Sequence, residues 1–141
     1  MTDTLLVATD GSDGADTAVD RAIELADVMN ATLHAVHVIE DIDAIVAPMT
    51  AEQDAVRKGT EAYAEEVLGD VADRAETAGV PCETTIKRGV PNERILSYAA
   101  DVGADMIVLG ALGRSSLVDV LLGSTADRVS RRSDVSVLLA R

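Results

Sequence analysis

Four short, predominantly apolar runs constrain this chain more than any other feature: Leu5 to Ala8, Leu33 to Ile39, Met106 to Leu109 and Val135 to Leu139. Each is too short for a buried helix and lacks strict alternation, as expected of a parallel strand covered on both faces. A fifth run, Cys82 to Lys87, alternates apolar with polar residues and predicts a less covered strand towards a sheet edge. Parallel strands need long crossovers, and the intervening stretches carry helical periodicity.

After the first run comes Thr9-Asp10-Gly11-Ser12, and then Ala15, Ala18, Val19, Ala22, Ala26 and Met29 recur at helical spacing, with Asn30 ending the pattern. Asp13, Asp16, Asp20, Glu24 and Asp27 fall elsewhere on that wheel. Glu40 to Met49 form an acidic, proline-bearing connection. Thr50 with Gln53 makes a capping box for the longest helix, Ala51 to Ala78, patterned through Tyr63, Val67, Val71, Ala75 and Ala78 and stopped by Gly79 and Pro81. Gly59 and Gly69 each cost that helix about 1 kcal/mol relative to alanine, so packing rather than propensity must hold it. Pro91 opens a short helix through Ile95, Leu96, Ala99 and Ala100 that ends near Gly103. A last helix spans Ser124 to Arg132, with Arg131 and Arg132 at its negative end. Five strands joined by right-handed helical crossovers predict one α/β domain over residues 1–141. It is an open five-stranded parallel sheet with helices on both faces, Rossmann-like.

Charge narrows the partners. The chain carries 25 carboxylates against 12 cations, a net charge of −13, and only Lys58 and Lys87 among the cations are lysines. Such a balance opposes binding to DNA, RNA or anionic lipid, which would add repulsion. Scarce lysine and few aromatics, with only Tyr63 and Tyr98, resemble the composition of proteins from salt-loving organisms; a merely acidic protein is the alternative. No apolar run approaches ~18 residues and no basic leader precedes one, so a soluble, cytoplasmic protein is expected. A single cysteine, Cys82, excludes an intrachain disulfide and a cysteine-built metal site, and its place in a strand predicts a small buried hydrophobe.

Candidate chemistry lies late in the chain. Gly110 and Gly113 follow the Met106 to Leu109 run, and Gly123 precedes Ser124 and Thr125. A glycine ending a strand permits a turn with φ > 0, a second admits a ligand to main-chain amides, and the third opens a helix whose N–H groups favour an anion. Should the first strand neighbour the fourth, the Asp10 turn and this loop face one crevice. A P-loop is excluded because Ser124, not lysine, follows Gly123. A dinucleotide fingerprint is excluded because the first strand is followed by Asp10-Gly11-Ser12 with only Gly14 beyond.

The run Gly110-Ala111-Leu112-Gly113-Arg114-Ser115, nine residues between Gly113 and Gly123, and then Ser124, resembles the ATP-binding signature of the universal stress protein family. Val7-Ala8-Thr9-Asp10-Gly11-Ser12, His37-Val38 and Gly89-Val90-Pro91 extend the resemblance along the whole chain. It implies strand order 3-2-1-4-5, a bound adenine nucleotide and a homodimer through the last strand. It places adenine near Asp10 and the main chain of Val38, with ribose and phosphates along Gly110, Gly113, Gly123, Ser124 and Thr125; Ala8 and Thr9 join the nucleotide-binding residues, and Arg114 adds charge if it folds inward. Asp10 faces base or sugar, holds Mg²⁺ brought with ATP, or serves only as a turn residue. Two departures stand out: Leu112 where the family often has histidine or another polar residue, and Ser136-Val137 where it commonly has Pro-Val.

No glutamine or glutamate lies near the glycine loop, no Walker-type lysine is present, and His34 and His37 both fall on the second strand, so no catalytic residue is assigned. His37, in a covered strand, is expected to be a hydrogen-bonded packing residue. The expected function is an ATP-binding, stress-response regulatory protein whose nucleotide-ordered loop modulates interactions with a protein partner. The alternative is a slow ATP hydrolase or adenylate-transferring enzyme. The edge of the last strand, Val135 to Leu139, carries neither proline nor inward charge, and its pairing with a second copy would give the homodimer.

Overall fold

The computed structural model describes residues 3–40, 50–112 and 122–141. Its elements are β1 (Thr4–Ala8), α1 (Asp13–Met29), β2 (Thr32–Ile39), α2 (Ala51–Thr77), β3 (Cys82–Arg88), α3 (Pro91–Val102), β4 (Met106–Gly110), α4 (Ser124–Arg132) and β5 (Ser136–Ala140). The strands form one sheet in the order β3-β2-β1-β4-β5, all pairs parallel. β5 begins one residue later than its apolar run predicts, because Ser133 and Val135 hydrogen-bond to each other in the turn before it: Ser133 Oγ donates to the Val135 carbonyl at 2.7 Å and accepts the Val135 amide at 3.0 Å.

Alternation along β1 sets the two layers. Leu5 and Val7 pack with Val19, Ala22, Leu68 and Val71 beneath α1 and α2, while Leu6 packs with Ile95, Tyr98, Ile107 and Val129 beneath α3 and α4. Leu5, Leu6, Val7, Leu33 and Ile107 are fully buried, which is why these runs show no polar alternation. β3 is an edge strand in which no residue is fully buried, as its alternating pattern predicts. Tyr98 ties α3 to that edge through a hydrogen bond with Thr85 Oγ1 at 2.9 Å, and to β2 through one with His34 Nδ1 at 3.3 Å.

Local signals act as their chemistry requires. Ser12 caps α1 by accepting the Ala15 amide at 3.3 Å, and Asn30 closes it in the left-handed conformation with φ 55°. Thr50 and Gln53 form the reciprocal capping box of α2, at 2.9 and 3.1 Å. The buried stripe of α2 matches the expected pattern at Val71 and Ala75 but also takes in Ala64 and Leu68, whereas Tyr63 and Ala78 are exposed, Val67 is half-buried and no residue of 51–63 is fully buried. Cys82 is less covered than expected. It is half-buried rather than fully buried, packing against the core from the edge strand; burial, and then the Glu83 carboxylate, push its thiol above the ordinary range.

Candidate functional site

The carboxyl ends of β1 and β4 lie side by side, because β1 separates β2 from β4. The strand order reverses there, and a crevice opens beyond the sheet. Residues from the β1 exit, the end of β2, the start of α3, the end of β4 and the first turn of α4 line a cleft of about 180 Å³. Of the residues the sequence nominates, Ala8, Thr9, Asp10, Val38, Gly110, Gly123, Ser124 and Thr125 all border this cleft. Gly113 and Arg114 lie outside the described residues. Sequence reasoning did not nominate Glu40, Pro91, Ile95 and Leu112, which also border it. Pro91 was legible as a helix opener, and Ile95 as that helix's apolar face.

The β1 exit is a rigid turn. The Thr9 amide continues the ladder onto the Val36 carbonyl at 3.0 Å, Thr9 Oγ1 accepts the Gly11 amide at 3.1 Å, and Asp10 Oδ1 accepts the Ser12 amide at 2.9 Å. Asp10 thus acts as a turn residue while bordering the cleft. His37 Nδ1 lies 2.9 Å from the Thr9 carbonyl, and since a carbonyl only accepts, that nitrogen carries the proton. The histidine is buried and does the packing work its covered strand predicts.

Gly110 requires a different reason from the one its position suggests. Its φ is not positive; the described glycines with positive φ are Gly11, Gly79, Gly89 and Gly103. A Cβ on Gly110 would instead meet the Gly14 carbonyl oxygen at 2.6 Å, so its glycine is demanded by the close approach of α1. Gly11 does have φ +80°, and a Cβ there would collide with Tyr63 Oη.

The helix ends at the cleft differ in the donors they offer. Three helices start at the cleft. The first turn of α1 is already satisfied by Ser12 and by Asp13 and Asp16, and α3 begins with Pro91, which has no N–H, and carries Glu93 in its first turn. α4 begins after Gly123 with no side-chain cap and carries Asp127 in its first turn; it adds the hydroxyls of Ser124 and Thr125 where it borders the cleft, and unlike α3 it has an N–H at its first position. The Gly123 amide itself donates to the Ala111 carbonyl at 2.8 Å, fixing this end against the segment that leaves β4. Among the described lining residues the charged side chains are Asp10 and Glu40, both carboxylates, and there is no lysine or arginine. No group of three or more potential metal ligands stands together among the described residues.

The universal stress protein family profile matches residues 1–141. The chain belongs to the universal stress protein family. Universal stress protein YxiE of Bacillus subtilis is 32% identical over 148 aligned positions that span the full length of both chains. The universal stress protein UspA from Lactobacillus plantarum superposes with a TM-score of 0.83 at 30% identity, covering 99% of this chain and 97% of that one. A universal stress protein solved in complex with cAMP superposes with a TM-score of 0.76 at 33% identity over 99% and 97% of the two chains. The strand order of this universal stress protein is therefore the one the family resemblance implies. No helix among its described residues is long and apolar enough to cross a membrane.

Proposed function

We propose that this universal stress protein binds an adenine nucleotide, ATP or a close relative, in the cleft beyond β1 and β4. The carrying observation is the first turn of α4, which opens onto that cleft with Ser124 and Thr125 and without a side-chain cap, whereas the α1 terminus beside it is capped by Ser12. Phosphate would sit on the amides of Ser124 and Thr125 with their hydroxyls as further donors, and on the glycine segment through Gly110, Gly113 and Gly123, with Arg114 supplying charge. Adenine would lie against Ala8, Thr9, Val38 and Ile95, an apolar wall with main-chain polar groups at its edge. The cAMP complex of a relative at 33% identity supports an adenine ligand.

Asp10 and Glu40 repel a bare triphosphate, so ATP would enter with Mg²⁺, to which carboxylate and phosphate oxygens are the usual donors. Asp10 is the proposed protein donor. Function follows from holding the Gly110 to Gly123 segment: the occupied protein presents a different surface to a protein partner, as a regulator in the stress response rather than an enzyme. The exposed edge of β5 would pair with its mate in a homodimer.

The test is to purify the protein, denature it, identify any released nucleotide, and then titrate ATP and AMP with and without Mg²⁺. Released adenine nucleotide and saturable binding support the reading; an empty protein that binds neither overturns it. Turnover measured on the same sample separates a regulator from a hydrolase.

A further inference from the structure

Tyr63 reaches the cleft-lining β1 exit from α2's side of the sheet. Its hydroxyl donates to the Asp10 carbonyl at 3.1 Å, and its ring meets His37 edge to face, with centroids 5.9 Å apart and planes at 75°. His37 in turn holds the carbonyl of Thr9 at 2.9 Å. The carbonyls of two successive cleft-lining residues are thereby held from α2's side, one by Tyr63 directly and one through the histidine on which Tyr63 rests. Alternation along β2 completes the link, since His37 points to α2 while its neighbour Val38 borders the cleft. Gly11, at φ +80°, closes against the same hydroxyl so tightly that even a methyl group would collide with it. The turn and the tyrosine therefore set each other's position.

Tyr63 also marks a boundary in α2. From Ala64 onward the helix buries a stripe against the sheet, but no residue of 51–63 is fully buried: Asp54, Glu61 and Tyr63 are partly covered and Val56 is 68% exposed. About three turns of helix thus stand on solvent, held by the capping box and by ion pairs within the helix such as Lys58 with Asp54 at 3.2 Å. These turns extend the packed half of α2 and lie at its fraying end, where Tyr63 and the Arg88–Glu61 ion pair beside it hold them to the rest of the fold.

We propose that Tyr63 is a positioning residue for the cleft, and that through its bond to Asp10 the occupancy of the cleft is coupled to the stability of residues 51–63. This rests on the nucleotide reading above. A ligand that fixes the Thr9–Asp10 turn strengthens the anchor of the projecting helix, and by reciprocity a partner gripping that helix raises affinity in the cleft. The projecting half of α2 is then the surface on which occupancy is read.

The probe is AMP. Calorimetry on the wild-type protein and on Tyr63→Phe, which keeps the ring on His37, is expected to show about fivefold weaker binding in the variant, the effect of one neutral hydrogen bond. Amide exchange over residues 51–63 is expected to slow on AMP saturation in the wild type and to stay unchanged in saturated Tyr63→Phe, which a purely structural tyrosine would not produce. The wild-type exchange measurement needs no variant and stands even if Tyr63→Phe folds poorly. AMP binding with no slowing of residues 51–63, or with equal affinity and equal slowing in both proteins, overturns the coupling alone. Absence of AMP binding to the wild type overturns the nucleotide reading and the coupling together.

Discussion

Gly110 and Gly14 touch backbone to backbone: a Cβ on Gly110 would stand 2.6 Å from the Gly14 carbonyl oxygen and 2.7 Å from its carbonyl carbon. A Cβ on Gly14 would in turn run into the Leu112 carbonyl. The first turn of α1 is seated in this way against the exit of β4, and the cleft wall is built from both.

Gly110→Ala should therefore act as overpacking, costing about 1–3 kcal/mol of stability. Because α1 would have to lift from the cleft wall, nucleotide affinity should fall by roughly tenfold or more, about the effect of 1.4 kcal/mol. Urea denaturation and calorimetry read the two effects. An unchanged midpoint would show that the contact yields at no cost.

Gly59 and Gly69 should behave in the opposite way. Each lies within α2, and a Cβ at either meets nothing within 4 Å. Alanine at either position should raise stability by about 0.5–1 kcal/mol through helix propensity alone. Gly69→Ala should raise the global melting temperature, whereas Gly59→Ala, in the projecting half, should chiefly slow local amide exchange.

Arg74 clamps α2 to α1. Its guanidinium donates to Asp16 at 2.6 Å, to Asp70 at 3.2 Å and to Asp20. Burial disfavours its charge, but hydrogen bonds to Asp20, Asp16 and Asp70 prevail and leave its pKa raised, so the ion stays charged at any pH at which the protein folds. The three carboxylates are 61–65% exposed, so Arg74→Met should cost only about 1 kcal/mol, less as salt screens the pairs. Denaturation at low and molar salt checks this; a cost that grows with salt would contradict it.

The raised thiol of Cys82 sets its reactivity. Burial and the neighbouring Glu83 carboxylate both disfavour the thiolate, which is the reacting species, so iodoacetamide at neutral pH should label the native protein much more slowly than the unfolded chain. Raising the pH should narrow the gap. Equal rates at neutral pH would contradict the assignment.

The strands and helices were legible because the sheet is covered: Leu5, Leu6 and Val7 are all buried, so their run could not be read as a one-faced strand. Ser12, Thr50, Pro91 and Asn30 marked helix ends through chemistry that acts within a few residues. The cleft was legible as far as spacing carries it, with the Asp10 turn and Gly110 meeting once β1 is placed beside β4. What stayed hidden depends on approach in space. The need for glycine at 110 comes from Gly14, far away in sequence, and Glu40 reaches the cleft only because β2 ends beside β1. The α2 stripe was misread at Tyr63 because this aromatic, though at helical spacing, serves the β1 turn rather than the core.

Ser124→Asp tests the central claim most directly. Ser124 is exposed at the first position of α4, where a carboxylate complements the helix dipole and should hold or slightly raise the melting temperature. The same charge would occupy the place proposed for phosphate. AMP and ATP titrated by calorimetry into wild-type and Ser124→Asp protein should bind the former saturably and lose at least about tenfold in affinity with the latter, with the fold intact. Equal affinity for both proteins would contradict a phosphate seat on the first turn of α4.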